Sequence, residues 1–217
     1  MDTLWKSRGW SGLIIFREES MGFLGLILAF SPWILFAIIT AGHTPLRLKA
    51  AIIVSFITVI MLGLTKIHRG FILWAGVIFF TFNLIAVVIM NNLWVAKHMG
   101  ILASGTLAAA AWLSILFRHP FTLAYARASV DIKERSSSGF IRTGYIITGF
   151  WGFVFLANLL VNIAKLYYTG ITGWLYEVMQ YGFLLIGMLF TVYYPKYRKE
   201  IMGTSTRKSL RGRQDKK

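Results

Sequence analysis

Residues 145–164 read YIITGFWGFVFLANLLVNIA, twenty positions without one Lys, Arg, Asp or Glu. At a helical rise of about 1.5 Å per residue, such a run is about 30 Å long, the thickness of a bilayer's hydrocarbon core. It is continuously apolar, whereas a barrel strand alternates apolar and polar residues over about ten positions, so a helix is the expected element. Working outward, comparable runs lie at 21–41, 48–65, 71–90, 99–117 and 171–194. The expected fold is all-α: a polytopic transmembrane helix bundle of six spans occupying residues 21–194.

Composition requires the same environment. The chain of 217 residues is 57% hydrophobic and 14% charged, where a soluble domain carries roughly 25% charged residues to face water. Without a single Cys, a disulfide framework, thiolate-held zinc or iron–sulfur sites and a cysteine nucleophile are excluded. Twenty-three Lys and Arg against eight Asp and Glu leave a net charge of +15, and in so apolar a chain those cations must crowd into loops and tails.

Their distribution sets an orientation. With six spans, Lys6, Arg8, Arg17, Lys66, Arg69, Arg118, Arg127, Lys133, Arg135, Arg142 and all the cations after residue 195 fall on one side. Only Arg47, Lys49, Lys97 and Lys165 fall on the other. By the positive-inside rule both termini are expected in the cytoplasm. Residues 1–20 combine Trp5, Trp10, Leu13, Ile14 and Phe16 with Lys6, Arg8 and Arg17, the make-up of an interfacial amphipathic helix; the apolar stretch is too short and too interrupted for a signal peptide. Trp94, Trp174, Tyr167, Tyr168, Tyr193 and Tyr194 mark span ends as interfacial belts, while Trp33, Trp74, Trp112 and Trp151 lie deeper and are expected to pack within the bundle.

Two cytoplasmic segments are candidate contact surfaces. In the loop 118–142, Pro120 suits a first helical turn, and Phe121, Ala124, Tyr125, Ala128 and Ile132 recur at helical spacing with charges around them. Phe121, Tyr125, Arg127, Lys133 and Arg135 are its docking candidates, the alternative being a helix that rests on the inner leaflet. In the basic tail 195–217, Lys196, Arg198 and Lys199 come first. Such a run is drawn to anionic lipid by about 1 kcal/mol per charge. No RNA-reading motif accompanies it, so no specific nucleic acid is expected.

Within the spans, Asn83, Asn158, Asn162, Glu177 and Gln180 are the side chains that hydrocarbon tolerates least, and each is expected to face another helix or a hydrated cavity. Asn158 and Asn162 share one helix face, as do Glu177 and Gln180. They read either as interhelical hydrogen-bond glue or as a polar transport site with Glu177 as its proton or cation group. Gly100, Ser104 and Ala108 follow small-xxx-small spacing, which serves packing inside the bundle or a homo-oligomer equally. His43, His68, His98 and His119 stand at span ends rather than inside helices, so no haem or other cofactor is expected, and no metal site. No paired carboxylates, His-Glu-x-x-His, phosphate-cradling Gly-rich loop or Gly-x-Ser-x-Gly elbow is present. The chain is therefore expected not to be an enzyme.

Three motifs carry a family resemblance. Phe30-Ser31-Pro32-Trp33-Ile34-Leu35-Phe36 is similar to a Phe-Pro-rich first span, Arg118-His119-Pro120-Phe121 to a basic-Pro-apolar turn after a central span, and Arg142 with Trp151, Phe153, Asn158-Leu159 and Asn162 to a later Arg, Trp, Asn-Leu-Asn-type helix. In this order they resemble the intracellular septation protein A family, small polytopic proteins of the bacterial inner membrane. The amphipathic N-terminus, the longer central loop and the long basic tail depart from that pattern. The resemblance implies a non-enzymatic scaffold or accessory subunit in envelope synthesis or division, acting through other integral membrane proteins in the bacterial inner membrane. The alternative expectation is a small transporter or channel with a polar site around Glu177, Asn158 and Asn162.

Overall fold

The computed structural model describes residues 25–41, 44–65, 70–127, 130, 132, 135–168 and 172–214, with side chains described as far as residue 198. The interfacial segment expected over 1–20 lies outside these residues, as do Lys133, the Lys199 side chain, His43 and His68.

Every regular element among the described residues is helical: α1 (Gly25–Thr40), α2 (Pro45–Leu64), α3 (Phe71–Asn83) running into a π-helical turn (Leu84–Ile89), α4 (Leu93–Lys97), α5 (Met99–Leu116), α6 (Phe121–Ala126), α7 (Ser138–Tyr167) and α8 (Gly173–Gln214). Each expected span therefore has its helix. Five are long and apolar enough to cross a membrane, and α1 is a shorter apolar helix. The bundle's outer surface carries large apolar side chains such as Leu46, Leu64, Ile78, Leu93 and Leu116. Water disfavours such a surface and lipid accepts it, so the chain is a multi-pass membrane protein.

Local chemistry sets the helix ends. Thr44 accepts a hydrogen bond from the Arg47 amide at 3.3 Å ahead of Pro45, Asn92 caps Val95 at 3.1 Å, and Ser137 caps Phe140 at 3.2 Å. At the end of α5, Arg118 takes a left-handed φ of 59°, the His119 amide donates back to the Ser114 carbonyl at 2.8 Å, and Pro120 stops the helix. This is the Schellman arrangement with Arg where glycine is usual. The Ser137 cap starts α7 seven residues before the apolar run at 145–164, because polar Ser138, Arg142 and Thr143 extend a helix into the headgroup region at no hydrocarbon cost.

α1 packs between α3 and α7. Phe30 stacks on Trp151 with centroids 5.7 Å apart and meets the Phe121 ring edge-on at 6.0 Å, while Trp33 lies against Phe79 and Phe80 at 4.9 and 5.1 Å. α5 and α7 are antiparallel neighbours in close contact, with the start of α5 at the end of α7. A Cβ at Gly100 would run into Asn162, and one at Gly152 would lie 2.9 Å from the Trp112 indole. The small-residue face of α5 thus serves packing inside the bundle. Trp33 and Trp151 are buried as expected, but Trp74 and Trp112 are not: 63% and 37% of their surfaces are exposed. Lipid and protein interior are equally apolar, so hydrophobicity alone does not reveal which way an indole on a span faces.

α6 is short because it is a tertiary splice rather than a surface helix. The Phe121 amide donates to Ser114 Oγ at 3.2 Å; Thr122 Oγ1 shares a 2.7 Å hydrogen bond with Thr148 Oγ1 and donates to the Gly144 carbonyl at 3.0 Å. Phe121 and Tyr125 are 1% and 3% exposed. They are core residues, which corrects the expectation that they form a docking surface: the apolar face of the loop helix turns onto α1 and α7 instead of outward.

α8 does not stop at Tyr194. It continues through Pro195 to Gln214, although proline cannot donate to the carbonyl four residues earlier. Just beyond Pro195, Arg198 Nη1 donates to the Gly139 carbonyl at 2.7 Å and to Thr143 Oγ1 at 2.8 Å, tying α8 to the first turns of α7.

Candidate functional site

The polar groups of α7 and α8 meet because these two helices pack on each other, and α7 carries the cluster on to α5. Asn162 is the hub. Its Nδ2 donates to the Asn158 carbonyl at 2.9 Å and to Ser104 Oγ at 3.3 Å, and its Oδ1 accepts from Gln180 Nε2 at 3.0 Å. Ser104 passes the chain to the Gly100 carbonyl at 2.7 Å. Asn158 Nδ2 donates to Val154 O at 3.0 Å, one turn back in its own helix. Among the described residues no donor reaches the side-chain oxygens of Asn158 or Gln180, so both remain acceptors. Nearby, Lys165 Nζ and Glu177 Oε1 form an ion pair at 3.5 Å with both side chains about one-third exposed.

This network forms one end of a cavity of about 920 Å³ that lies between α1, α5, α7 and α8 and is open at the side. Lys97 and Thr40 join Asn158, Asn162, Lys165, Glu177 and Gln180 at the polar end, and the body is walled by Leu26, Phe30, Phe36, Leu107, Phe155 and Met188. The volume sits near the upper end of small-molecule sites, about 300–1,000 Å³. Its polar end supplies neutral acceptors, amide donors, two ammonium groups and one carboxylate. No group of three or more His, Cys, Asp and Glu able to hold a metal occurs among the described residues, and one carboxylate paired with a lysine does not provide a two-acid mechanism.

Four of the five intramembrane polar candidates thus come together. Asn83 does not: it lies on α3 at the start of the π-helical turn, fully buried, with Nδ2 bonded to Phe79 O at 2.8 Å and Oδ1 without a partner among the described residues. Among the docking candidates, Arg127 and Lys196 are exposed, Arg135 donates from Nε to Val130 O at 2.9 Å, and Arg198 is the α7–α8 tie. Ser104, Lys97 and Lys165 also belong to the site, yet sequence reading does not single them out as site residues. Ser104 looks like one small residue in a packing stripe, and nothing local connects it to Asn162, 58 positions away. The Thr122–Thr148 pair is missed for the same reason. Comparison of the chain with family models, with curated proteins and with solved structures finds no match to any of them.

Proposed function

We propose that this chain is a non-catalytic membrane protein that takes an amphipathic molecule from the bilayer into the α1/α5/α7/α8 cavity. Its polar head would sit at Asn158, Asn162 and Gln180 and its chain along Phe30 and Phe155. One observation carries this reading: a hydrogen-bonding cluster caps one end of a largely apolar cavity of about 920 Å³. An ion path would call for polar groups along its length, and the walls beyond the cluster are apolar. The supporting setting is a cytoplasmic membrane with both termini inside, as the charge asymmetry implies.

The test is native mass spectrometry of the full-length protein extracted in mild detergent. A bound amphiphile is expected on the wild type. It should be lost from Ala37→Trp, which fills the cavity from α1, and weakened in Gln180→Leu. A protein that carries no amphiphile, but whose proton-coupled uptake disappears in Glu177→Gln, would replace this reading with the transport one. A scaffold or accessory role is favoured by one further observation: α8, 42 residues long, is about 63 Å at 1.5 Å per residue and reaches well past a bilayer's hydrocarbon core as a basic helix. A second membrane protein extracted with this chain at fixed stoichiometry is what that role requires.

A further inference from the structure

At the opposite end of the bundle from the polar end of that cavity, a second hollow of about 560 Å³ opens between the start of α3 and the α5–α6 turn. Three of its lining residues are basic, Arg118, His119 and Arg127; none is acidic; and Trp74 lines its membrane-facing wall. No carboxylate pairs with either arginine among the described residues.

The backbone presents these groups in a fixed way. Arg118 is held in the left-handed region at φ 59° by the closing bonds of α5, so the helix end itself fixes where its side chain leaves the backbone. The His119 ring is pinned by a 2.7 Å contact between Nδ1 and the Phe117 carbonyl. A carbonyl only accepts, so Nδ1 donates in this contact, and Nε2 can donate to a phosphate oxygen when it carries a proton as well. Phe117 in turn stacks on Phe71 at 6.2 Å, and Phe117 and Trp74 are 60% and 63% exposed to the lipid side. Two guanidinium groups beside exposed aromatic rings at a span end sit where the headgroups of a bilayer lie.

From this geometry we infer that Arg118, His119 and Arg127 form a binding site for the phosphate of an anionic bilayer lipid, with its acyl chain running down past Trp74. Guanidinium groups match phosphate oxygens through paired donors, and among the described residues lining the hollow there is no carboxylate to occupy those donors. A free phosphate ion would meet the same donors. The lipid is favoured because the hollow opens beside apolar, lipid-exposed rings that only a chain-bearing ligand covers. The site shares no residue with the α1/α5/α7/α8 cavity and does not rest on the reading given for it.

Trp74 supplies a local probe. The full-length protein is placed in phosphatidylcholine nanodiscs containing a rising fraction of brominated phosphatidylglycerol or brominated phosphatidylcholine. The quenching of Trp74 is taken as the difference between wild type and Trp74→Phe. Half-quenching is expected at a much lower fraction of the anionic lipid. In the Arg118→Gln/Arg127→Gln double variant this preference should fall by roughly thirtyfold, the effect of two cations near a membrane surface, whereas Arg118→Lys/Arg127→Lys should keep most of it. Should the double variant fail to fold, Arg127→Gln alone, outside the capping turn of α5, should lose roughly fivefold. Equal quenching by the two lipids in the wild type, or a preference unchanged in the Gln variants, overturns the site. Millimolar inorganic phosphate that abolishes the preference, where chloride at equal ionic strength does not, overturns the lipid as its ligand.

Discussion

Replacing Asn162 by Leu removes the hub of the polar cluster while keeping the same branched arrangement of heavy atoms. Two of its hydrogen bonds cross between helices, to Ser104 on α5 and from Gln180 on α8; the third, to Asn158 O, stays within α7. Interhelical hydrogen bonds in membrane proteins average about 0.6 kcal/mol and reach about 1.7 kcal/mol. Two of them put the expected destabilisation at about 1.2 kcal/mol, with about 3.4 kcal/mol as the upper bound. Leu is branched like Asn and somewhat larger, so no cavity opens beside Gly100, and any added cost is overpacking that the double-variant cycle separates from the shared bond. The assay is reversible unfolding in mixed micelles by a denaturing detergent. It is run on wild type, Asn162→Leu, Gln180→Leu and the double variant, because only the cycle separates the shared bond from the other effects of each change. The expected coupling between positions 162 and 180 is about 0.6 kcal/mol. Additive single effects, with no coupling, would refute the claim that these side chains act as one hydrogen-bonded unit.

Further outcomes follow from the same contacts. Gly100→Leu places a branched side chain where even a Cβ meets the Asn162 amide; overpacking costs about 1–3 kcal/mol, and the double variant Gly100→Leu/Asn162→Ala should recover part of this in the same unfolding assay. Glu177→Gln should change stability by less than about 1 kcal/mol, because its Lys165 partner and it are both partly solvated and such pairs contribute little; a loss of several kcal/mol would show that the carboxylate is held more deeply. Arg198→Gln removes the tie to Gly139 and Thr143 and should speed protease cleavage after Pro195 without altering the amphiphile bound in the cavity. Unchanged cleavage would mean that this tie does not hold α8.

The cluster shows why the site was only half legible in the primary structure. Asn158 and Asn162, or Glu177 and Gln180, are one turn apart on a single helix, and helical periodicity puts each pair on one face without knowledge of neighbours. That the two faces meet, and that Ser104 completes them, depends on how α5, α7 and α8 pack. Asn83 makes the same point in reverse: it is as polar as Asn162 and deeper in its span, yet α3 turns it toward a different interior. Phe121 and Tyr125 have the helical spacing of an amphipathic surface element, but short-range periodicity does not say whether the apolar stripe faces lipid, a partner or this bundle. The Ser114 and Thr148 hydroxyls decide it by binding the first turn of α6.

The amino-acid sequence by itself determined the membrane environment, the helical class and the number and approximate position of the spans. Hydrocarbon leaves a backbone few ways to satisfy its polar groups, so a run of twenty apolar residues has almost one solution. It also determined where charge accumulates, since cations are excluded from the spans. Only the tertiary structure decided which indoles face lipid, which polar residues share a cavity and which loop residues enter the core. Those choices rest on packing between helices whose lipid-facing and buried sides are equally apolar, where close fit and a few hydrogen bonds, rather than hydrophobicity, select the arrangement.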